Sequence, residues 1–394
     1  MLSQRSLPVI RATLPVVAES INDITRVFYT EMFAEHPELL RDLFNRGNQV
    51  NGEQQKALAG SIAAFASMIV EHPDRRPDAM LSRIAHKHAS LGITPGQYKI
   101  VHKHLLAAIV IVLHEAVTEE VAAAWDEVYW LMANALIAIE SHLYLDAGVT
   151  DGEVWRQMRI VERRDDTPDV GSFALEPVDG GPAGRFRPGQ YVSVRVPMPD
   201  GAHQIRQYSL TNKPSDPLWR ISVKRVDGGA HPDGEVSSNL CEHAAVGDVL
   251  TVSAPFGDLV VPPHGDRPLL LASAGIGITP MIAILDDLVA ERSSRPVTVV
   301  HADRSRRLHA HRDDQQRYVD ALPDASLHVW YEDDAHSTGR IDLSNVDVVD
   351  GVVVFLCGPL PFMRAVREDL LARGVAPRDI HYEVFGPDLW LSAS

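Results

Sequence analysis

The sequence predicts a multidomain chain: an all-α domain, then an antiparallel β-barrel, then an α/β domain with a parallel sheet. At 394 residues the chain is longer than one ordinary domain. Residues 1–150 hold six glycines and six prolines, whereas residues 151–394 hold twenty of each, a contrast typical of helices followed by strands and turns. Apolar spacing changes from helical to alternating near the same point. The predicted domains are residues 1–146, 152–262 and 263–394.

Composition and charge exclude several classes of protein. The net charge is −16 and no dense Lys/Arg block occurs, so nucleic-acid binding is not expected. Two cysteines are too few for a disulfide framework. The longest apolar run, 105–113, is too short to cross a bilayer. Arg5 and Arg11 interrupt the apolar N-terminal stretch, so a secretory signal peptide is not expected. We therefore expect a cytoplasmic protein with no transmembrane segment and no obligate protein partner.

Helical spacing in the first domain draws attention to one histidine. His88 follows Leu81 and Ile84 at helical intervals, which predicts that it faces inward, and His86 cannot share that face. By itself an inward histidine is more often a core residue with satisfied hydrogen bonds than a ligand. The next helix is predicted to begin at a capping box formed by Thr94 and Gln97, and a long last helix to run from Thr118 to about residue 144.

In the second half, the pattern is first that of consecutive strands and then that of strands alternating with helices. Residues 192–196 alternate in polarity, as one buried strand face requires, and similar runs predict an antiparallel barrel over 152–262. Further on, apolar runs at 269–274, 297–300, 327–331 and 352–356 alternate with helical stretches, which predicts a parallel sheet. After the first of these comes Gly275-Ile276-Gly277-Ile278-Thr279-Pro280, where glycines and a helix start could approach a pyrophosphate. A bare Gly-x-Gly is more often a turn.

Two motif sets in this order resemble the bacterial flavohaemoglobins over essentially the whole chain. The first set resembles their globin domain and comprises Phe28-Tyr29, Phe44, 51–55 with Leu58, 84–88, Gln97-Tyr98 and 129–140. The second resembles the ferredoxin-reductase superfamily and comprises 188–191, 206–209, 275–280 and 381–387. The resemblance implies haem b, FAD and NAD(P)H as cofactors.

For the proximal side of the haem, the resemblance implies that His88 is the iron ligand. Tyr98 and Glu140 would engage its free ring N–H, which sets the tautomer and raises the basicity of the imidazole. Phe44 would pack on the haem face. Without the resemblance, Glu140 also fits a carboxylate at the edge of a surface.

For the distal side, the resemblance implies that Tyr29 and Gln54 lie over the bound ligand and that Leu58 narrows access to it. Hydroxyl and amide donors would stabilise charge that develops on oxygen. Tyr29 also fits a plain core tyrosine, and Gln55 would replace Gln54 if the alignment shifted by one residue.

For the flavin, the resemblance implies contacts from Arg206 to the pyrophosphate, from Tyr208 to the isoalloxazine ring and from Ser209 to its reactive nitrogen. Lys87 and Glu383 would lie near the path of electrons from flavin to haem. The implied FAD-binding residues are Tyr191, Arg206, Gln207, Tyr208, Ser209, Val384, Phe385, Gly386 and Pro387. The implied NAD(P)-binding residues are Gly275, Ile276, Gly277, Ile278, Thr279, Pro280, Cys357, Gly358 and Pro359.

The chain departs from the family pattern in places. Ile278 and Val384 stand where family members often have glutamine and cysteine, and the loop 227–234 is longer than usual. Beyond the strand that ends near His301, three arginines could hold the 2′-phosphate of NADPH or simply decorate the surface, whereas Asp303 could bind the ribose of NADH. These arginines are Arg304, Arg306 and Arg307.

The resemblance implies nitric oxide dioxygenase activity, in which nitric oxide and dioxygen become nitrate at the expense of NAD(P)H. Two other functions fit the same residues. One is an oxygen or nitric oxide sensor or carrier whose reductase half resets the iron. The other is a general NAD(P)H diaphorase or ferric reductase.

Overall fold

The computed structural model describes residues 2–50, 52–228, 233–262, 265–333 and 341–386. The chain divides into two units. Unit 1 takes the described residues up to Trp155 together with 195–205, and unit 2 takes 156–194 and the described residues from 206 to 386. None of the described helices combines the length and the apolarity that crossing a lipid bilayer requires.

Helices account for most of unit 1. They are α1 (Ser6–Glu35), α2 (Pro37–Asp42), α3 (Arg46–Val50), α4 (Glu53–Glu71), α5 (Asp78–Leu91), α6 (Pro95–Leu113) and α7 (Glu119–Ala147). The predicted capping box is present at the start of α6, where Gln97 Oε1 accepts the Thr94 N–H at 2.7 Å. Thr118 caps α7 by accepting the Val121 N–H at 3.3 Å. Both predicted helix starts are thus confirmed.

One apolar core joins α1 to α4, α5, α6 and α7, and it includes Phe28, Leu81 and Trp125. The face that α5 turns to this core differs from the prediction. Ala85 and Ala89 are fully buried and His86 is 6% exposed. The side chain of His88 is 32% exposed but contacts the buried Tyr98 and Glu140, so it faces inward at the edge of the buried face, whereas the burial of His86 was not foreseen. The reason is that Leu81, Ala85 and Ala89 form the inner stripe at four-residue spacing.

The first sheet has six strands. They are β1 (Trp155–Thr167), β2 (Val170–Pro177), β3 (Tyr191–Pro197), β4 (His203–Ser209), β5 (Trp219–Lys224) and β6 (Val249–Ser253), in the order β4-β3-β6-β1-β2-β5. β2 pairs antiparallel with both β1 and β5. An antiparallel bridge between Leu210, just after β4, and Ile221 in β5 joins the two edge strands. The sheet therefore closes as the predicted barrel, and α8 (Glu235–His243) follows β5.

The second sheet is parallel and has the order β11-β10-β7-β8-β9. Its elements are β7 (Leu269–Ala274), α9 (Ile278–Ala290), β8 (Val297–Asp303), α10 (Arg312–Ala321), β9 (Ala325–Tyr331), β10 (Val353–Cys357), α11 (Leu360–Ala372) and β11 (Ile380–Glu383). The chain proceeds from β7 to one side through β8 and β9, then to the other side through β10 and β11. The order reverses between β7 and β10, where doubly wound sheets bind ligands beyond the carboxyl ends of their strands.

Candidate functional site

In unit 1, α5, α6 and α7 bring together a histidine, a tyrosine and a carboxylate. His88 Nδ1 lies 2.9 Å from Tyr98 Oη and 2.9 Å from Glu140 Oε1. Tyr98 donates its hydroxyl to the same Glu140 oxygen at 2.5 Å. A carboxylate can only accept, so the proton of the neutral imidazole belongs on Nδ1. Nε2 therefore carries the lone pair.

Burial keeps the tyrosine of this trio neutral. Burial, with Glu140 beside it, raises the pKa of Tyr98 far above its usual value. Two further tyrosines, which the sequence analysis did not single out, hold the backbone on either side of the α6 start. Tyr129 donates to the Tyr98 carbonyl at 2.5 Å, and Tyr144 donates to the Ile93 carbonyl at 2.6 Å. The sequence feature that could have identified them is their spacing on α7, because Tyr129, Glu140 and Tyr144 are separated by nearly whole helical turns and so share one face.

The donor set at His88 fits a haem iron. Among the residues that the structure describes, none hydrogen-bonds to Nε2, and the side chain is 32% exposed. A neutral imidazole held at Nδ1 by a carboxylate is the arrangement that metal-binding histidines adopt. His88 could thus hold the iron, with Glu140 and Tyr98 orienting it.

A second group in unit 1 contains the residues predicted for the distal side. Tyr29 is 4% exposed, and its ring meets that of Phe44 edge-on with centroids 5.8 Å apart. Gln54 makes a side-chain hydrogen bond to the Tyr29 phenol, whose pKa burial raises well above the usual value. Gln55 instead donates to Gln49 Oε1 at 3.1 Å. Of the two neighbouring glutamines, Gln54 is therefore the one that contacts Tyr29.

Leu58 and Phe44 are partly buried against the same core. The backbone around Phe44 is held by a residue that the sequence analysis missed. Gln204 donates to the Phe44 carbonyl at 3.3 Å and accepts the Arg46 N–H at 3.2 Å. Nearby, Arg46 pairs with Asp200 at 2.5 Å. We find no sequence signal for these contacts, because they join residues about 155 positions apart.

In unit 2, five of the predicted flavin residues lie on β3 and β4. Alternation places Arg206 and Tyr208 on one face of β4, both partly exposed, so one ligand could contact both. Burial raises the pKa of Tyr208 well above its usual value, and the phenol stays neutral. On the opposite face Ser209 is buried, and Gln207 donates to Ser193 Oγ at 3.0 Å. Tyr191 is buried and pairs with Phe256 through two backbone hydrogen bonds of 2.8 and 2.9 Å.

At the point where the strand order reverses, the Gly-x-Gly segment forms a 3₁₀ turn at Gly275–Gly277 between β7 and α9. A Cβ on Gly277 would lie 2.4 Å from the Cys357 carbonyl oxygen, so only glycine allows the two chain segments to approach this closely. Thr279 Oγ1 donates to the Ile276 carbonyl at 2.9 Å, and Ile278 and Pro280 are buried in the first turn of α9. Backbone N–H groups at the N-terminus of α9 and at Gly358 could contact a nucleotide. Pro359 follows as the N-cap of α11.

The last described strand places a carboxylate beside the buried cysteine. Glu383 on β11 is in register with Cys357 on β10, and each is at most 8% exposed. Burial, with Glu383 nearby, raises the pKa of the Cys357 thiol. Val384 is buried, Phe385 is 45% exposed and Gly386 ends the described chain, so Pro387 lies outside the described residues. Lys87 lies next to His88 on α5 in unit 1.

The residues that could discriminate between NADH and NADPH differ in their exposure and in their partners. The side chain of Asp303 is 2% exposed and accepts the Arg304 N–H at 2.7 Å. Arg304 pairs with Asp169 at 3.3 Å, whereas Arg306 and Arg307 are exposed. Beside Asp303, the rings of His301 and His309 stack with centroids 4.1 Å apart, a buried pair that the sequence analysis did not identify.

Family models match three stretches of the chain. Residues 26–136 match the globin family, residues 158–260 match the oxidoreductase FAD-binding domain, and residues 271–368 match the oxidoreductase NAD-binding domain. These stretches lie inside the three predicted domains, whose boundaries stay predictions.

Curated relatives match along the whole chain. The flavohemoprotein of Rhizobium meliloti (strain 1021) is 41% identical over 405 aligned positions that cover 99% of this chain and 100% of the relative. The flavohemoprotein of Chromobacterium violaceum is 42% identical over 402 positions, with 98% of each chain covered.

Two solved structures of related proteins are similar to this chain. A flavohemoglobin from Malassezia yamatoensis, crystallised with bound FAD and heme, has a TM-score of 0.90 and 40% identity and covers 98% of this chain and 100% of its own. The flavohem-like FAD/NAD-binding domain of nitric oxide dioxygenase from Vibrio cholerae has a TM-score of 0.56 and 35% identity and covers 60% of this chain and 100% of its own. From the globin and oxidoreductase domains, and from these relatives, we conclude that the chain belongs to the flavohemoprotein family.

Proposed function

We propose that this flavohemoprotein is a nitric oxide dioxygenase that converts nitric oxide and dioxygen to nitrate, with NAD(P)H as the electron source and FAD and haem b as cofactors. The observation that carries the proposal is the trio in unit 1. Glu140 and Tyr98 fix the proton of His88 on Nδ1, and the same unit pairs Tyr29 with Gln54. The FAD- and NAD-binding family matches in the same chain supply a route for reducing equivalents.

The proximal residues would tune the chemistry through hydrogen bonds. When bound, the haem supplies the centre at which dioxygen and nitric oxide react, and FAD converts a hydride into single electrons. His88 would hold the iron through Nε2. Because the Glu140 carboxylate draws on the Nδ1 proton, the imidazole becomes a stronger donor, which favours oxygen chemistry over simple carriage. Tyr98, kept neutral by burial, holds that carboxylate in place.

On the distal side, Tyr29 and Gln54 would supply hydrogen-bond donors. Burial keeps the Tyr29 phenol protonated at any physiological pH, so its O–H is always available to donate. Preorganised donors in a water-poor pocket stabilise negative charge on oxygen. The conversion of nitric oxide and dioxygen to nitrate takes up one electron. The donors would stabilise the negative charge that this electron places on oxygen.

In unit 2 we assign the isoalloxazine contact to Tyr208 and Ser209 and the pyrophosphate contact to Arg206. We assign the nicotinamide nucleotide to the crevice at Gly275–Gly277 and Gly358. Lys87 and Glu383 are proposed to tune electron transfer to the haem. The proposed substrates are small molecules, and we expect the protein to act in the cytoplasm without an obligate protein partner. The net charge of −16 argues against nucleic-acid binding.

The test is a stopped-flow experiment with the full chain carrying haem and FAD. The protein is reduced with NAD(P)H in aerated buffer, mixed with nitric oxide, and the nitrate formed is measured. A dioxygenase consumes nitric oxide rapidly and yields stoichiometric nitrate. Slow or absent nitrate formation would remove the assignment and favour a sensor or carrier.

A Tyr29→Phe variant separates the dioxygenase from a general diaphorase. Loss of one preorganised donor is expected to lower nitrate formation by roughly 100-fold. Electron transfer from NAD(P)H to an external acceptor, measured on the same sample, should stay unchanged because Tyr29 belongs to unit 1 and not to the reductase unit. Equal loss of both activities would contradict the role given to Tyr29.

A further inference from the structure

A cluster of possible metal ligands lies in unit 1 where α1 ends. Glu35 is the last residue of α1, His36 follows it, and His104 lies in the middle of α6. One ligand atom from each of the three residues lies within 4.8 Å of the others. His104 Nε2 is 3.5 Å from Glu35 Oε2, and His36 Nε2 is 3.8 Å from Glu35 Oε1. None of the three has a part in the proposed reaction.

His104 gives an independent reason to expect a ligand. Its side chain is only 6% exposed, and its buried Nε2 atom has no hydrogen-bond partner among the described residues. A buried polar atom is normally paired, so an unpaired nitrogen aimed at a carboxylate calls for an explanation.

His36 is held in an orientation suited to binding. Its Nδ1 lies 3.2 Å from the Glu38 carboxylate, which accepts the ring proton and leaves Nε2 as the basic nitrogen. A carboxylate behind a metal-binding histidine is a common arrangement. The rings of His36 and His104 are perpendicular with centroids 5.8 Å apart. Glu35 has a side chain 49% exposed, which gives an ion a path from solvent.

We propose that Glu35, His36 and His104 bind a divalent transition-metal ion, and that Zn²⁺ is the ion that fits the two imidazoles and one carboxylate. Tetrahedral zinc with bonds of about 2.0 Å needs ligand atoms about 3.3 Å apart. The separations of 3.5 and 3.8 Å run to the two different oxygens of Glu35, and the three ligand atoms all lie within 4.8 Å of one another, so the side chains would have to draw closer around the ion. Water would complete the coordination. The ion would tie the end of α1 to α6.

One cation in the structure competes with the metal. The Lys103 ammonium donates to Glu35 Oε1, so a zinc ion must displace it. This predicts opposite effects from neighbouring substitutions. Removal of a ligand weakens binding, whereas Lys103→Met should tighten it because the carboxylate is released for the metal.

The experiment titrates Zn²⁺ into the full chain, loaded with its cofactors, against a chromophoric chelator. The wild type is expected to bind one tight equivalent. Glu35→Gln, His36→Gln and His104→Gln should each lose it, and Glu38→Gln should weaken it about tenfold. His102→Gln is the matched control, since His102 lies on the same helix but pairs with Asp126 at 2.6 Å.

A second measurement covers the case in which His104→Gln folds poorly. Zn²⁺ should raise the unfolding temperature of the wild type and of His102→Gln but not of Glu35→Gln, whose exposed side chain can change without disturbing the core. The proposal is overturned if the wild type binds no stoichiometric zinc. It is also overturned if the three ligand variants bind zinc as tightly as His102→Gln does.

Discussion

His88 Nδ1 lies 2.9 Å from Glu140 Oε1, and the buried Tyr98 hydroxyl donates to the same carboxylate oxygen at 2.5 Å. Two donors therefore converge on one acceptor that is itself only 3% exposed. Charge-assisted hydrogen bonds of this kind are stronger than neutral ones, and a low local dielectric strengthens them further. The arrangement sets the electron donation of the histidine at Nε2 without any contact at that atom.

Glu140→Gln should weaken this electron donation, because a neutral amide is a poorer acceptor for the His88 proton than a carboxylate. We expect the midpoint potential of the haem to rise and nitrate formation to fall about 10- to 100-fold. Spectroelectrochemical titration measures the potential. Tyr144→Phe is the control, since Tyr144 lies one turn further along α7 and donates to Ile93 instead. An unchanged potential in Glu140→Gln would show that the carboxylate does not act through the iron ligand.

Two adjacent glutamines should respond differently to the same substitution. Gln54→Leu removes the hydrogen bond to Tyr29 and is expected to speed the dissociation of dioxygen from the reduced protein by roughly tenfold, the effect of about one hydrogen bond. Gln55→Leu removes only the contact with Gln49 and should leave that rate unchanged. Stopped-flow ligand replacement measures both. The reverse ranking would mean that Gln55 supplies the distal amide.

Gly277→Ala should damage the nucleotide site by steric conflict. Its Cβ would overlap the Cys357 carbonyl at 2.4 Å, so β10 and the Gly-x-Gly turn must move apart. We expect flavin reduction by NAD(P)H to slow by at least about tenfold, while direct chemical reduction of the flavin stays normal. Gly351→Asn is the control, because Gly351 lies outside the proposed nucleotide site, has open space around it and has a φ of +75° that suits asparagine. Normal reduction by Gly277→Ala would place the nucleotide elsewhere.

Because of His309, the stability of unit 2 should decrease in acid. Burial lowers the pKa of His309 to about 2, whereas an unfolded histidine titrates near 6.5. Below pH 6.5 the unfolded chain therefore takes up a proton that the folded chain excludes, and stability falls as the pH decreases. Between pH 6 and 4, His309 lowers the free energy of unfolding by up to about 1.4 kcal/mol for each unit by which the pH decreases.

The His309→Gln variant tests this dependence by urea unfolding between pH 7 and 5. It should show a shallower loss of stability with acid than the wild type. Tyr331→Phe removes the hydroxyl that lies 3.0 Å from His309 Nδ1 and should lower stability at every pH without changing the slope. Identical slopes for wild type and His309→Gln would contradict the prediction.

Local chemistry made much of the fold predictable. The capping box at Thr94 and the helix start at Thr118 depend on neighbouring residues, and both are present in the structure. Alternation predicted β3, and buried runs predicted β8, β9 and β10 to within a few residues. The face of α5 was less predictable. Leu81, Ile84 and His88 share a helix face, but the packing of α5 against α7 decided that His86 is the more buried histidine.

The sequence by itself determined the order of the three domains and the residue types available to each site, because motifs such as Gly275–Gly277 depend on local backbone demands. The tertiary structure alone decided which side chains meet. It selected Gln54 over Gln55 for Tyr29, joined Gln204 to Phe44 and Arg46, and placed His104 beside Glu35. These contacts join residues distant in the chain, and their distances depend on helix packing that no local pattern encodes.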